Sequence, residues 1–257
     1  MPRTTRLAPP LLLLLLLPAA ALRLGATTVR RRSLLCALPA LSACRPYAAA
    51  AKESLADVYD AQAATYDSSY DQSAIGRVVD FDGLRAGLMS KAKGDVLELG
   101  VGTGLNLPWY DPGRVRSVTG VDVSNGMLEV ARERSQTLRL KKEKVTLRVA
   151  DAAALPFEDG SFDVVTDTFG LCVFEKPSLV LTEARRVLRP GGKLLMVEHE
   201  DSPVSRALSF TRASSPIAAT CAYDQDVRAL VKASGMRIVE TSSVAGGFFR
   251  VVMAEKP

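Results

Sequence analysis

The run Val96-Leu97-Glu98-Leu99-Gly100-Val101-Gly102-Thr103-Gly104 constrains this chain more than any other stretch. An apolar strand leads directly into three glycines at alternate positions, the pattern of a buried strand that turns sharply and opens a helix at about residue 105. Further on, Val118-Thr119-Gly120-Val121-Asp122 reads as a second strand ending in a carboxylate. Together they describe the first βαβ unit of a nucleoside-binding α/β domain. The spacing is G-x-G-x-G, and Leu105 stands where the dinucleotide fingerprint G-x-G-x-x-G has its third glycine. Glycine lets backbone approach a ligand closely because it lacks Cβ, whereas the third glycine serves close helix–strand packing around a pyrophosphate.

The rest of the chain continues the alternation. Strands are expected at 95–99, 116–121, 145–149, 162–167 and 192–198, with helices at 125–138 and 176–188, an order that argues a parallel sheet covered on both faces. Two helical segments precede the sheet: 54–70, with Ser54 as N-cap, and about 75–89. Tyr59, Tyr66 and Tyr70 are spaced to share one helical face. After the fifth strand, 202–222 is rich in Ser, Ala and Thr and reads as an irregular lid. A helix over 226–234, ended by Gly235, and two last strands at 237–240 and 248–254 complete the pattern.

With these segments in view, the chain resembles the class I S-adenosylmethionine-dependent methyltransferases from about Val58 to its C-terminus. The resemblance rests on the glycine loop and Asp122, on Val149-Ala150-Asp151-Ala152-Ala153-Ala154-Leu155-Pro156-Phe157 with Ser161-Phe162-Asp163-Val164-Val165, and on Val187-Leu188-Arg189-Pro190-Gly191-Gly192-Lys193-Leu194. Tyr59-Asp60-x-x-Ala63-x-x-Tyr66-Asp67 resembles the N-terminal motif of the quinone C-methyltransferase branch. Phe169-Gly170-Leu171-Cys172 and Val197-Glu198-His199 look closest to membrane-associated organellar members and to the thiol methyltransferase-like group. Val101 departs from the cysteine or smaller residue of many members. The resemblance implies a doubly wound, Rossmann-like α/β sheet, mostly parallel, with an antiparallel C-terminal edge strand and N-terminal helices.

It also implies S-adenosylmethionine as cofactor, with Glu98, Gly100, Gly102 and Gly104 around its amino acid moiety. Asp122 would accept hydrogen bonds from the ribose hydroxyls, or else cap the helix starting at Ser124. Met127 either packs on the adenine or belongs to the core. Asp151 with Ala152 meets the adenine amino group, or Asp151 simply closes a turn. Phe169 and Leu171 line a methyl-transfer pocket or fill space. Tyr66 lies over the cofactor or orients the nucleophile, unless it is only the half-buried aromatic of an amphipathic helix. His199, leaving the fifth strand at its carboxyl end, is a candidate general base or a structural histidine. Cys172 reads as a buried, inert thiol. The expected acceptor is small and lipophilic: a quinone carbon, a phenolic oxygen or a thiol. A catalytically silent assembly factor on the same fold is the rival reading. A nicotinamide-dependent oxidoreductase is disfavoured by Leu105 and the single histidine.

Charge separates the chain into two parts. The net charge is +5, yet residues 1–52 hold eight Lys/Arg and no acid, leaving 25 basic and 28 acidic residues for 53–257. Residues 1–52 are read as a targeting region and 53–257 as the methyltransferase domain. The basic cluster Arg132, Arg134, Arg139, Lys141, Lys142 and Lys144 is interspersed with Glu133 and Glu143 and reads as a solvated helix end, so no nucleic-acid partner is expected. Arg3 and Arg6 precede an apolar run with seven consecutive leucines, too short for a membrane span. A second unit follows, with Arg30-Arg31-Arg32-Ser33, an apolar stretch and Ala48-Ala49-Ala50. Such tandem signals favour a plastid and its thylakoid, with a mitochondrion as the alternative. Peripheral membrane association is compatible with this, and oligomeric state is left open. No Cys/His spacing suggests a zinc site, so no metal is assigned.

Overall fold

The computed structural model describes residues 54–71, 79–138, 140, 144–208 and 216–257. The targeting region, Cys36 and Cys44 within it, the expected helix start near Ile75, and Arg139, Lys141 and Lys142 lie outside the described residues.

Seven strands form one sheet: β1 (Gly94–Leu99), β2 (Val115–Asp122), β3 (Val145–Val149), β4 (Phe162–Thr168), β5 (Leu188–His199), β6 (Arg237–Val244) and β7 (Phe249–Glu255). Their order is β3-β2-β1-β4-β5-β7-β6. β1 pairs in parallel with both β2 and β4, so the sheet winds in opposite directions from β1, and a crevice opens between the carboxyl ends of β1 and β4. The strands alternate between two buried faces. Leu97, Leu99, Val165, Leu194 and Met196 pack on one side against α5 (Pro177–Val187) and α8 (Val227–Ala233). Val96, Val118, Val164, Leu195 and Val197 pack on the other, where Leu88 and Met89 of α3 (Phe81–Met89) join them.

The expected antiparallel edge strand becomes an antiparallel pair. β7 inserts between β5 and β6 and runs against both, leaving β6 at the edge. Composition explains the exchange. β7 buries Phe249, Val252 and Ala254, whereas β6 carries Glu240, Thr241, Ser242 and Ser243, which tolerate water.

Three expectations are corrected. The glycine loop does not open an α-helix, since only a 3-10 turn, Leu107–Trp109, precedes β2. Pro108 and Asp111-Pro112-Gly113 leave no uninterrupted stretch long enough for one. The helix expected over 54–70 is split into α1 (Leu55–Gln62) and α2 (Tyr66–Asp71) by a 3-10 turn at Ala63–Thr65. There the Thr65 hydroxyl donates to the Gln62 carbonyl, and Ser68 to that of Thr65. The expected irregular lid contains two short helices, α6 (Pro203–Leu208) and α7 (Pro216–Thr220). The N-cap of α1 is as expected, with Ser54 and Asp57 forming a reciprocal capping box.

Leu97 is fully buried at the centre of β1. Leu97→Ala should therefore lower stability by about 2–5 kcal/mol, measured by urea denaturation. A loss near zero would contradict this packing.

Candidate functional site

A cavity of about 330 Å³ occupies the crevice at the carboxyl ends of β1, β2 and β4. The glycine loop forms one wall. Gly100 and Gly102 both adopt φ 54°, and Gly104 adopts φ 81°. At Gly104 an added Cβ would fall 2.8 Å from Leu107, so loop and following turn pack closely only without a side chain.

Asp122 fastens this wall. One of its carboxylate oxygens accepts from the Gly102 amide at 2.9 Å and the other from the Ser124 amide at 2.9 Å. The cap of α4 (Asn125–Ser135) is supplied instead by Ser124, whose hydroxyl accepts from the Met127 amide at 3.0 Å. Burial pushes the Asp122 carboxyl above its ordinary range. Asp151, exposed at the adjoining edge, accepts from the Ala153 amide at 2.8 Å in a tight turn.

The opposite wall comes from α1 and α2. Tyr59 and Tyr66 both line the cavity, with ring centroids 6.2 Å apart. Burial raises both phenols, Tyr66 included, so they remain protonated near neutrality and can act as donors. The aspartates beside them fasten the wall. Asp60 accepts from the Ser124 hydroxyl and the Gly126 amide, which hold its pKa down. Asp67 accepts from the Thr103 hydroxyl at 2.6 Å and pairs with Arg134, which also donates to the Thr103 carbonyl at 2.8 Å. Each Tyr-Asp pair of the motif thus sends its ring into the cavity and its carboxylate to the α4 start or the glycine loop. The periodicity of the motif is visible in the sequence, but the roles of Tyr59, Asp60 and Asp67 depend on where α4 and the glycine loop lie.

Among the residues expected at the site, Tyr66, Gly100, Gly102, Asp122, Met127, Asp151, Ala152 and Phe169 all line this cavity. Glu98, Gly104 and His199 do not. Glu98 lies behind the wall and accepts from the Asn106 amide and the Tyr110 hydroxyl, both at 2.9 Å. Asn106 also donates to Thr168, a lining residue, and buried Arg85 donates to both Asn106 and Thr168. Desolvation raises Glu98 from 4.5 to about 7. Asp167 and Glu198 form a second buried pair. Burial raises both, Asp167 to about 7, and the charge of Asp167 adds to the rise at Glu198, which lies well above the ordinary carboxylate range. Asp167 accepts from the Gly170 amide, and Glu198 from the amides of Leu171 and Cys172.

Phe169 takes a left-handed backbone, φ 62°, which a bulky residue adopts only when its surroundings compel it. Its ring meets Phe81 and Phe249 edge-on at 5.5 and 5.3 Å. His199 sits beyond it among Tyr223, Phe248 and Phe249, and desolvation lowers its pKa to about 3. It is neutral at physiological pH and a weak base. Cys172, expected as an inert thiol, is joined to Cys221 in a disulfide.

Residues 97–196 match the methyltransferase-domain family. A phosphatidylethanolamine N-methyltransferase of Cereibacter sphaeroides is 40% identical over 157 residues, covering 61% of this chain and 68% of that one. The chain belongs to the S-adenosylmethionine-dependent methyltransferases, and S-adenosylmethionine is its cofactor. Among its relatives are a demethylmenaquinone methyltransferase of Renibacterium salmoninarum, 34% identical, and the mitochondrial methyltransferase OMS1 of Saccharomyces cerevisiae, 30% identical. These matches cover 57% and 55% of this chain, but only 59% and 32% of those relatives. Solved structures share the fold. One is an S-adenosylmethionine-dependent methyltransferase of Thermotoga maritima, with TM-score 0.61, 22% identity, and coverage of 78% of this chain and 99% of that one. Another is the [4+2]-cyclase SpnF, with TM-score 0.57, 18% identity, and coverage of 69% and 80%.

Two outcomes follow from this geometry. Folded Glu98 keeps its proton between pH 4.5 and about 7, where the unfolded chain has released it. Its contribution to stability is greatest below pH 4.5 and falls as pH rises through that window, by at most about 1.4 kcal/mol per unit. Glu98→Gln removes this slope, so the stability of the variant relative to wild type should climb across the same window in denaturant titrations. A flat difference would contradict a desolvated Glu98. Replacing both Asp60 and Asp67 with Ala should speed amide exchange across 55–71 while leaving β1 and β4 protected. Unchanged exchange there would mean the two clips do not hold the wall.

Proposed function

We propose that this chain methylates a small lipophilic acceptor, a quinone-type ring carbon or phenolic oxygen being the favoured class. The observation that carries the reading is the pairing of two unlike walls in one cavity. The glycine loop with Asp122 and Asp151 faces Leu55, Tyr59, Phe169, Val173 and Phe174. The relatives named for demethylmenaquinone and phosphatidylethanolamine support an acceptor drawn from lipid. The latter name also favours a second reading, a lipid amine.

The residues fit the cofactor. Asp122 holds both carboxylate oxygens at the wall with one backbone donor each, leaving lone pairs for two ribose hydroxyls. Gly100 and Gly102 offer backbone without side chains to the amino acid end, and Asp151 with Ala152 and Met127 would border the adenine. When bound, S-adenosylmethionine supplies an electrophilic methyl group on a sulfonium that leaves as a neutral thioether.

The chain's own task is to orient and to exclude water, which can be worth about 7–11 kcal/mol of barrier. Tyr66 and Tyr59 donate hydrogen bonds to acceptor oxygens, and Phe169 stacks or shields the ring. Glu98 acts from behind the wall through Asn106 and Thr168, and His199 shapes the aromatic lining without taking a proton. Residues 1–52 are proposed to deliver the domain 53–257 to an organelle. The mitochondrial relative supports an organelle; the plastid route rests on the tandem signals alone.

Calorimetry on wild type should give micromolar S-adenosylmethionine binding, weakened about tenfold or more, roughly 1.4 kcal/mol, in Asp122→Ala. Incubation with labelled cofactor and a panel of demethylated quinones, phenols, thiols and phosphatidylethanolamine should label a quinone or phenol. Binding without transfer to any of them would favour the silent assembly factor. Transfer to phosphatidylethanolamine alone would favour the amine reading.

A further inference from the structure

Cys172, His199 and Cys221 are separated by 27 and 22 positions, spacing that shows no metal signature, yet they converge. The two sulfurs and the nearer imidazole nitrogen all lie within 4.8 Å of one another. His199 Nδ1 is 3.4 Å from Cys221 Sγ. Ligand atoms around a tetrahedral zinc-class ion, bound at about 2.3 Å for sulfur and 2.0–2.1 Å for nitrogen, stand about 3.6–3.8 Å apart. The donors come from three separate elements: the loop after β4, the end of β5 and the segment after α7.

That convergence is held from several directions. Glu198 accepts from the Cys172 amide, and the Cys172 carbonyl accepts from the Ala222 amide at 2.8 Å. The Tyr59 hydroxyl reaches Thr220 at 3.5 Å, tying the Cys221 segment to α1. The cysteines are 4% and 5% exposed, while His199 keeps part of its surface accessible, which gives an ion a way in.

We propose that Cys172, Cys221 and His199 form a site for one thiophilic divalent cation of the zinc class, open when the two cysteines are reduced and closed while they are joined. Two thiolates and a divalent ion sum to zero charge. An aromatic surround of Phe169, Tyr223, Phe248 and Phe249 therefore accepts the complex at far less desolvation cost than an unpaired ion. Three protein ligands leave the fourth position to water or an exogenous group. The exchange between states balances. A dithiol gives two electrons and two protons to the Cys172–Cys221 bond and becomes a disulfide itself. The ion then displaces both thiol protons to solvent. Gly170 and Val173, on either side of Cys172, line the cavity, so the state of the site bears directly on the cavity wall.

The test uses the full chain with Cys36→Ser and Cys44→Ser, leaving Cys172 and Cys221 as its two cysteines. After reduction with dithiothreitol and anaerobic desalting, cobalt(II) should bind at one equivalent. Thiolate-to-cobalt charge-transfer absorption and tetrahedral visible bands should appear, and zinc should abolish both. The same protein left oxidised should show neither band, a control that requires no change at the site. His199→Gln should weaken cobalt affinity about tenfold or more while retaining the charge-transfer band. A reduced chain without charge-transfer absorption, or equal cobalt uptake by the oxidised chain, would overturn the site and leave a purely structural disulfide.

Discussion

Each of the four central parallel strands carries a desolvated carboxylate at or next to its carboxyl end: fully buried Glu98 on β1, Asp167 on β4 and Glu198 on β5, and half-buried Asp122 on β2. A desolvated acid is tolerable only if its oxygens are satisfied, and here the donors come from the loop that follows the strand or from its neighbour. Gly102 and Ser124 satisfy Asp122, Asn106 and Tyr110 satisfy Glu98, and the amides of Leu171 and Cys172 satisfy Glu198. Asp167 accepts from the Gly170 amide at one oxygen only; its other oxygen is buried without a donor among the described residues, and burial lifts the carboxyl to about 7, so that it stays neutral over the acidic range. The acids therefore dictate loop shape. The cavity is what remains between loops whose backbones are already committed.

The α1–α2 wall obeys the same logic from outside the sheet. Its polar anchors to the rest of the domain include the aspartates at 60 and 67, beside the buried Ala63 and the Tyr59–Thr220 contact, while the tyrosines one residue earlier face inward. Loosening the two polar clips would free this wall while leaving the strands of the sheet packed. That the fold also serves a [4+2]-cyclase underlines where chemistry is decided. The sheet and glycine loop set up a nucleoside-sized cleft, and the added wall and lid determine what meets it.

Local patterning made the strands, the glycine loop and Asp122 legible, because a buried strand followed by alternate glycines has few other uses. The helix expected after the loop does not form because Pro108 and the Asp-Pro-Gly turn outweigh the motif's usual continuation. On sequence alone Glu98 is expected at the cofactor and His199 is left as a general base or a structural histidine, because no periodicity tells whether a strand-end side chain faces a cavity or the layer behind it. Phe169 in a left-handed conformation, and the approach of Cys221 to Cys172 across 49 positions, are tertiary facts with no local signal. The motif spanning Tyr59 and Asp67 lies between. Its spacing was readable, and its division of labour required the position of α4.

The missing helix after the glycine loop has an electrostatic consequence. Where a helix N-terminus points at a ligand, its macrodipole presents about half a positive charge. Here the loop passes into a 3-10 turn instead, and no α-helix stands between β1 and β2 among the described residues. The glycine loop itself therefore adds no helix field of its own to the cavity, and the helix N-termini that border it include those of α4 and α5. The break in secondary structure thus shifts the source of any helix field from the loop to the far side of Asp122, whose carboxylate stands between the loop and the start of α4.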